Sequence, residues 1–145
     1  MANYEFTVIS NWFKVKNPSE FLDTIQKLGY EGSYYDTSND KVCIASYEQC
    51  WDNEHIVIID NNTGNVIDTV QDCDLVGYFD YGNNINLDKY IQNQLLDNEY
   101  VAVKETGNEK LRYNVGCAEV ITKNNTKWFC LDNIIEEYIR KELNN

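Results

Sequence analysis

Apolar residues alternate at the start of the chain, switch to helical spacing shortly afterwards, and the two patterns then trade places to the end. Asn3 to Ile9 sets Tyr4, Phe6 and Val8 on one face, and Trp12 to Lys16 continues extended with Phe13 beside Val15, which predicts two opening strands or one bent strand. In NPSEFLDTIQKLG the period changes. Phe21, Leu22, Ile25 and Leu28 make a stripe, Asn17 caps it, Pro18 fits the first helical position, Glu20 completes a capping box and Gly29 stops the helix.

Beta patterning returns in the middle. Ser33 to Asp36 and Lys41 to Ala45 read as a hairpin around Thr37 to Asp40, and Ile56 to Asp60 with Asn65 to Val70 as a second hairpin around Asn61 to Gly64. A short strand, Leu75 to Phe79, is expected inside an otherwise looped stretch from 71 to 84. Asn86 then caps a helix carrying Leu87, Tyr90, Ile91 and Leu95 on one side, with Ile85 stapled against Tyr90 and an end near Asp97. Glu99 to Glu105 reads as a strand, TGNE as a turn, and Leu111 to Thr122 as a longer strand in which Gly116 suggests a bulge. KNNT leads into a strand from Lys127 to Leu131. A last helix is expected to be capped by Asn133, with Glu136 three residues on, and to carry Ile134, Ile135, Tyr138, Ile139 and Leu143 as an apolar face. The expected class is α+β: an antiparallel sheet built from hairpins with three helices packed on it. Trp-Phe precedes a helix at both ends of the chain, but the spacing differs, and no solenoid or propeller follows from two copies.

At 145 residues the chain is expected to close a single domain, and 43% hydrophobic content argues against disorder despite a formal charge of −12. Twenty-four acids against twelve bases repel phosphates and anionic headgroups, so direct nucleic-acid and membrane binding are disfavoured. No apolar run approaches the roughly 20 residues of a membrane helix, and MANYEFTVIS lacks a basic region followed by an apolar core, so a cytoplasmic protein is expected.

Catalytic and metal chemistry finds little support in the residue pattern. Cys43, Cys50, Cys73, Cys117 and Cys130 are odd in number, with no Cys-x-x-Cys pair, so a disulfide framework is not expected. His55 is the single histidine, so zinc would require Cys50, His55 and Cys73 to converge with a further ligand. A Cys50 and His55 nucleophile pair is opposed by Glu48, Asp52 and Glu54, whose charges raise a thiol pKa. Asp60, Asn62, Gly64 and Asp68 fail as a calcium loop because the glycine stands fifth and no Glu stands twelfth, whereas a hairpin turn asks for Asn and Gly there. Glu109 beside Arg112 could pair as acid and base, but a turn with outward charges accounts for both. No phosphate loop, nucleophile elbow or dinucleotide fingerprint is present. No cofactor, metal or catalytic residue is expected.

One feature exceeds background. Residues 42 to 88 carry nine acids and no Lys or Arg, and a block of like charges costs stability that an even spread would avoid. Glu48, Asp52, Glu54, Asp68, Asp72, Asp74 and Asp80 are therefore candidate partner-binding residues, a grid of charge suited to a basic groove that normally holds nucleic acid. Interleaved Tyr34, Tyr35, Tyr47, Trp51, Tyr78, Phe79 and Tyr81 supply aromatic anchors, some of which belong to the core.

Two stretches, SNWFKVKNPSEFLDTIQKLG and ETGNEKLRYNVGCAEVITKNNTKWFCLDNIIEEYIRKEL, resemble small acidic accessory proteins of Firmicutes phages and conjugative elements. The shared marks are Trp12, Phe13 and Val15, and Gly107, Glu109, Lys110, Leu111, Arg112 and Tyr113. The likeness covers both ends and not the acidic middle. It implies a mobile-element protein similar to anti-CRISPR proteins and antirestriction DNA mimics: a non-enzymatic inhibitor whose partner is a CRISPR effector or restriction enzyme with a basic surface. An intracellular adaptor or immunity-type protein, holding one partner through an aromatic-rich face, is the alternative.

Overall fold

The computed structural model describes residues 4–47, 50–71, 82–109 and 113–144. In chain order the elements are β1 (Tyr4–Ser10), α1 (Pro18–Lys27), β2 (Tyr34–Asp36), β3 (Lys41–Cys43), β4 (Ala45–Tyr47), β5 (Ile56–Ile59), β6 (Val66–Val70), β7 (Asn83–Asn86), α2 (Leu87–Gln94), β8 (Val101–Glu109), β9 (Tyr113–Ile121), β10 (Thr126–Cys130) and α3 (Leu131–Leu143). Strands β10-β9-β8-β1-β4 form an antiparallel five-stranded sheet, β2-β3 a hairpin, and β6-β5-β7 an antiparallel three-stranded sheet. The α+β class with antiparallel sheets is the one the residue pattern calls for. No described helix is long and apolar enough to cross a membrane.

Alternation sorts the large sheet into two faces. Val101, Val103, Glu119 and Ile121 are buried on the inner face, opposite α1 and α2. Phe21 of α1 sets its edge to Phe13 at 5.6 Å and stacks on Tyr90 of α2 at 5.8 Å, so one ring joins both helices to the extended segment before them. Asn17 caps α1 by accepting from the Glu20 amide at 3.3 Å. The reciprocal half of the expected capping box is absent: Glu20 instead accepts from the Val66 amide, and the Asn17 amide donates to Gln94. Tertiary partners supply what a local box would have supplied.

Several expected boundaries move for the same reason. The single strand expected from Lys41 to Ala45 is two strands. Ile44 donates its amide to Ser10 Oγ and accepts from the Ser10 amide, and the bend lets β3 pair with β2 and β4 with β1. TGNE is not a turn. It continues β8 through Glu109, paired with β1 on one side and β9 on the other, and two full hydrogen-bond ladders outweigh its turn composition. The Asp60 turn holds as expected: its carboxylate accepts from the Asn62 and Thr63 amides, which lowers its pKa, and Gly64 adopts φ +77°. Strand β7 lies where a loop is expected, and the Leu75 to Phe79 strand falls outside the described residues.

Helix α3 begins three residues before its expected start, with Cys130 at the cap position and no side-chain cap bond, so Asn133 is helical and caps nothing. Gly116 makes no bulge either, because the β8–β9 register runs unbroken past it. Its missing side chain serves α3: a Cβ there would stand 3.2 Å from Leu131 Cδ2 and 3.3 Å from Leu131 Cβ. Gly116→Val is expected to destabilise the protein by about 1–2 kcal/mol through that clash. Leu131→Ala in the same chain, which removes Cδ2 and keeps Cβ, should recover part of the loss in a thermal melt, and a melt identical to wild type for the single variant would remove Gly116 from this role.

Candidate functional site

Of the acidic block, the structure describes Asp52, Glu54, Asp60, Asp68 and Asp88. Glu54 and Asp68 are exposed, and Asp52 is half-buried with Oδ1 accepting from the Glu54 amide at 2.9 Å. Asp60 serves its own turn. Glu48, Asp72, Asp74 and Asp80 lie outside the described residues. Asp88 turns inward. Of the proposed aromatic anchors, Tyr34 and Tyr47 are exposed, Tyr35 is half-buried and Trp51 is core; Tyr78, Phe79 and Tyr81 are not among the described residues.

Asp88 belongs to a buried polar cluster that sequence reasoning missed. Glu119 sits fully buried on β9 and accepts from Trp51 Nε1 at 2.8 Å and Asn53 Nδ2 at 3.0 Å. Asn53 Nδ2 also donates to Asp88 Oδ2 at 2.8 Å and so bridges the two carboxyls. Burial, then the hydrogen bond to and charge of Glu119, push the Asp88 pKa up to about 8. Its place in the first turn of α2 favours the ionised form by under about 1 kcal/mol, too little to offset those effects. Asp88 Oδ1 is a buried oxygen without a hydrogen-bond partner, and a proton held on Asp88 removes the cost of burying a charge there. An open hollow of about 540 Å³ runs past Asp88, lined also by Lys89, Gln92 and Asn124 to Thr126. A protonated Asp88 can donate a hydrogen bond there. Among the described residues no group of three or more His, Cys, Asp and Glu side chains is placed to hold a metal ion.

Cys50 and His55 are not joined. His55 is buried, its Nδ1 donates to the Gln71 carbonyl at 2.6 Å, and Nε2 has no partner. Burial pushes the Cys50 thiol up, with further push from Glu105 and Asp52, the reverse of what a catalytic thiol requires. Cys117 and Cys130 stand opposite each other on β9 and β10 with sulfurs 3.5 Å apart, and burial followed by the neighbouring thiol raises Cys117 to about 11. Both are free thiols.

The outer side of the large sheet is different in kind. By register, Ile9, Lys104, Ala118 and Phe129 form one row across β1, β8, β9 and β10, and Tyr47, Thr7, Thr106 and Gly116 the next. Tyr47 is 84% exposed and Ile9 49%. Leu131 and Ile134 of α3 meet this face at Gly116, Ala118 and Phe129 around an apolar hollow of about 260 Å³. Beyond that contact α3 buries none of its residues. The apolar face expected from its periodicity exists, yet Tyr138 and Leu143 are 66% and 79% exposed and the three isoleucines about half. No family model, curated protein or solved structure matches the chain. The physical character of this surface is therefore what speaks to function. A helix of 13 residues is marginal in water without a face to bury, and this one leaves its face open.

Proposed function

We propose that this chain is a non-catalytic binding protein, of the adaptor or immunity type, that seats a protein partner on the outer face formed by α3 and the sheet. The observation that carries the reading is the uncovered stripe of Ile134, Ile135, Tyr138, Ile139 and Leu143, with Ile9 and Tyr47 exposed on the same side of the sheet. Apolar contact with aromatic anchors gives affinity that responds weakly to ionic strength. Binding to an isolated partner is expected to change less than about threefold between low and 0.5 M salt, and Tyr138→Arg to weaken it at least tenfold with the fold intact by circular dichroism. A steep fall of wild-type affinity with salt would overturn this reading.

Such a fall would favour the second reading, an anti-defence inhibitor whose carboxylates occupy a basic groove. Its support is the exposure of Glu54 and Asp68 within a stretch lacking Lys and Arg. Reversing both to Lys is expected to abolish inhibition of a CRISPR or restriction nuclease under that reading, and to leave partner binding unchanged under the first.

A further inference from the structure

The next step rests on the reading of the α3 side as a binding surface and names its occupant. We infer that this surface pairs with a second copy of the chain, the two α3 helices lying antiparallel across a two-fold axis.

A two-fold interface places one patch on itself, so the patch must be self-complementary. Helix α3 meets that condition along its length. Its apolar stripe runs from Leu131 to Leu143, and its charges divide: Asp132, Glu136 and Glu137 in the first part, Arg140 and Lys141 in the second, with Glu142 the one departure. Antiparallel pairing can bring Glu137 of each helix to Lys141 of the other, although it also sets Glu136 near the other copy's Glu142. Glu137 and Lys141 share one flank of the stripe, and in the single chain they pair only with each other, at 3.6 Å with both side chains largely exposed. With the axis beside Ile139, each Glu137 meets the other copy's Lys141.

The size of the face also suits a dimer. At their exposed fractions the five large apolar side chains from Ile134 to Leu143 present roughly 600 Å² per copy, against about 800 Å² for a standard interface, and the stems of the flanking charges add to it. The net charge of −12 per copy opposes association at low salt, so pairing tightens as salt rises, the reverse of an acidic groove-filler.

Sedimentation equilibrium of the purified full chain tests this. The wild type is expected to dimerise, more tightly at 0.5 M than at 0.05 M salt, and Tyr138→Arg to be a folded monomer by circular dichroism. Glu137→Lys and Lys141→Glu alone should each weaken self-association roughly tenfold, since each puts like charges opposite one another twice. Mixing the two variants should restore a heterodimer close to wild-type affinity. Both variants have lost the pair within their own helix, so recovery reports contact between copies. A wild type that stays monomeric at the highest attainable concentration, or variants that do not recover on mixing, overturns antiparallel self-pairing. If the wild type is monomeric and Tyr138→Arg still loses a foreign protein, the binding-surface reading stands without the self-pairing; if Tyr138→Arg loses nothing, both fall.

Discussion

Replacing Asp88 by Asn is expected to raise the melting temperature above neutral pH and to leave it almost unchanged near pH 4. In the folded protein the pKa of Asp88 is about 8, whereas an Asp in an unfolded chain titrates near 3.9. Between those values the folded state holds a proton that the unfolded state has released. Stability from this group is therefore fully present below about pH 4 and is lost as pH rises through about 8. At pH 9 the loss is ~1–3 kcal/mol, well below the full value of the shift, because Asp88 is only half-buried and water in the adjoining hollow screens it. The amide reproduces the protonated acid: its oxygen can accept from Asn53 and its NH₂ can donate to Glu119. The carboxyls whose pKa values are lowered, Asp36, Asp60 and Asp97, act in the other direction, stabilising above their unfolded pKa and losing that effect only as pH falls below about 4. They leave the window clear. Melts of both proteins from pH 4 to 9 should diverge progressively, and parallel curves would show that Asp88 holds no extra proton in the folded state.

The same cluster shows what a residue pattern can and cannot carry. Glu119 stands at an inward position of an alternating strand, between Cys117 and Ile121, and a carboxylate there is a signal of a buried polar site. Its partners Trp51, Asn53 and Asp88 lie 31 to 68 residues away in two other segments, and only long-range folding brings them together. Nor does the acidity of the central segment say which of its acids face outward, since Asp88 has the composition of its neighbours and the environment of the core. Local chemistry was a better guide where local bonds decide the outcome. Asn17, Asn86 and the Asp60 turn all make the bonds their residue types predict. It misled where tertiary ladders outbid it, as at Thr106 to Glu109 and at β7, whose Asn-rich sequence pairs with β5. For α3 the periodicity identified the apolar face correctly. Whether that face packs on its own chain or stays open is a property of the assembled sheet, and no pattern within the helix encodes it.

Phe21→Ala is expected to cost about 3–5 kcal/mol, a third or more of the stability of an ordinary domain. Phe21 is 1% exposed, and its ring is the shared contact of three elements: the extended segment through Phe13, its own helix α1, and α2 through Tyr90. Truncation removes the transfer energy of the ring and two aromatic contacts of about 0.5–1.5 kcal/mol each, and it opens a cavity that α1 is poorly placed to close. The helix is held at its start by the Asn17 cap and by the Lys16 amide on the Gln94 carbonyl, so it cannot slide toward α2 without breaking both. Ile135→Ala is the informative contrast. Ile135 is as apolar, but 47% exposed on α3, and Ala is the better helix former, so the monomer should lose under about 0.5 kcal/mol. Urea melts of the two variants at a concentration below that of any self-association should separate by several kcal/mol. A small loss at Phe21 would mean that α1 and α2 are not coupled through this ring. A large loss at Ile135 would mean that α3 is packed on its own chain, and the outer face would then have no free stripe to offer a partner.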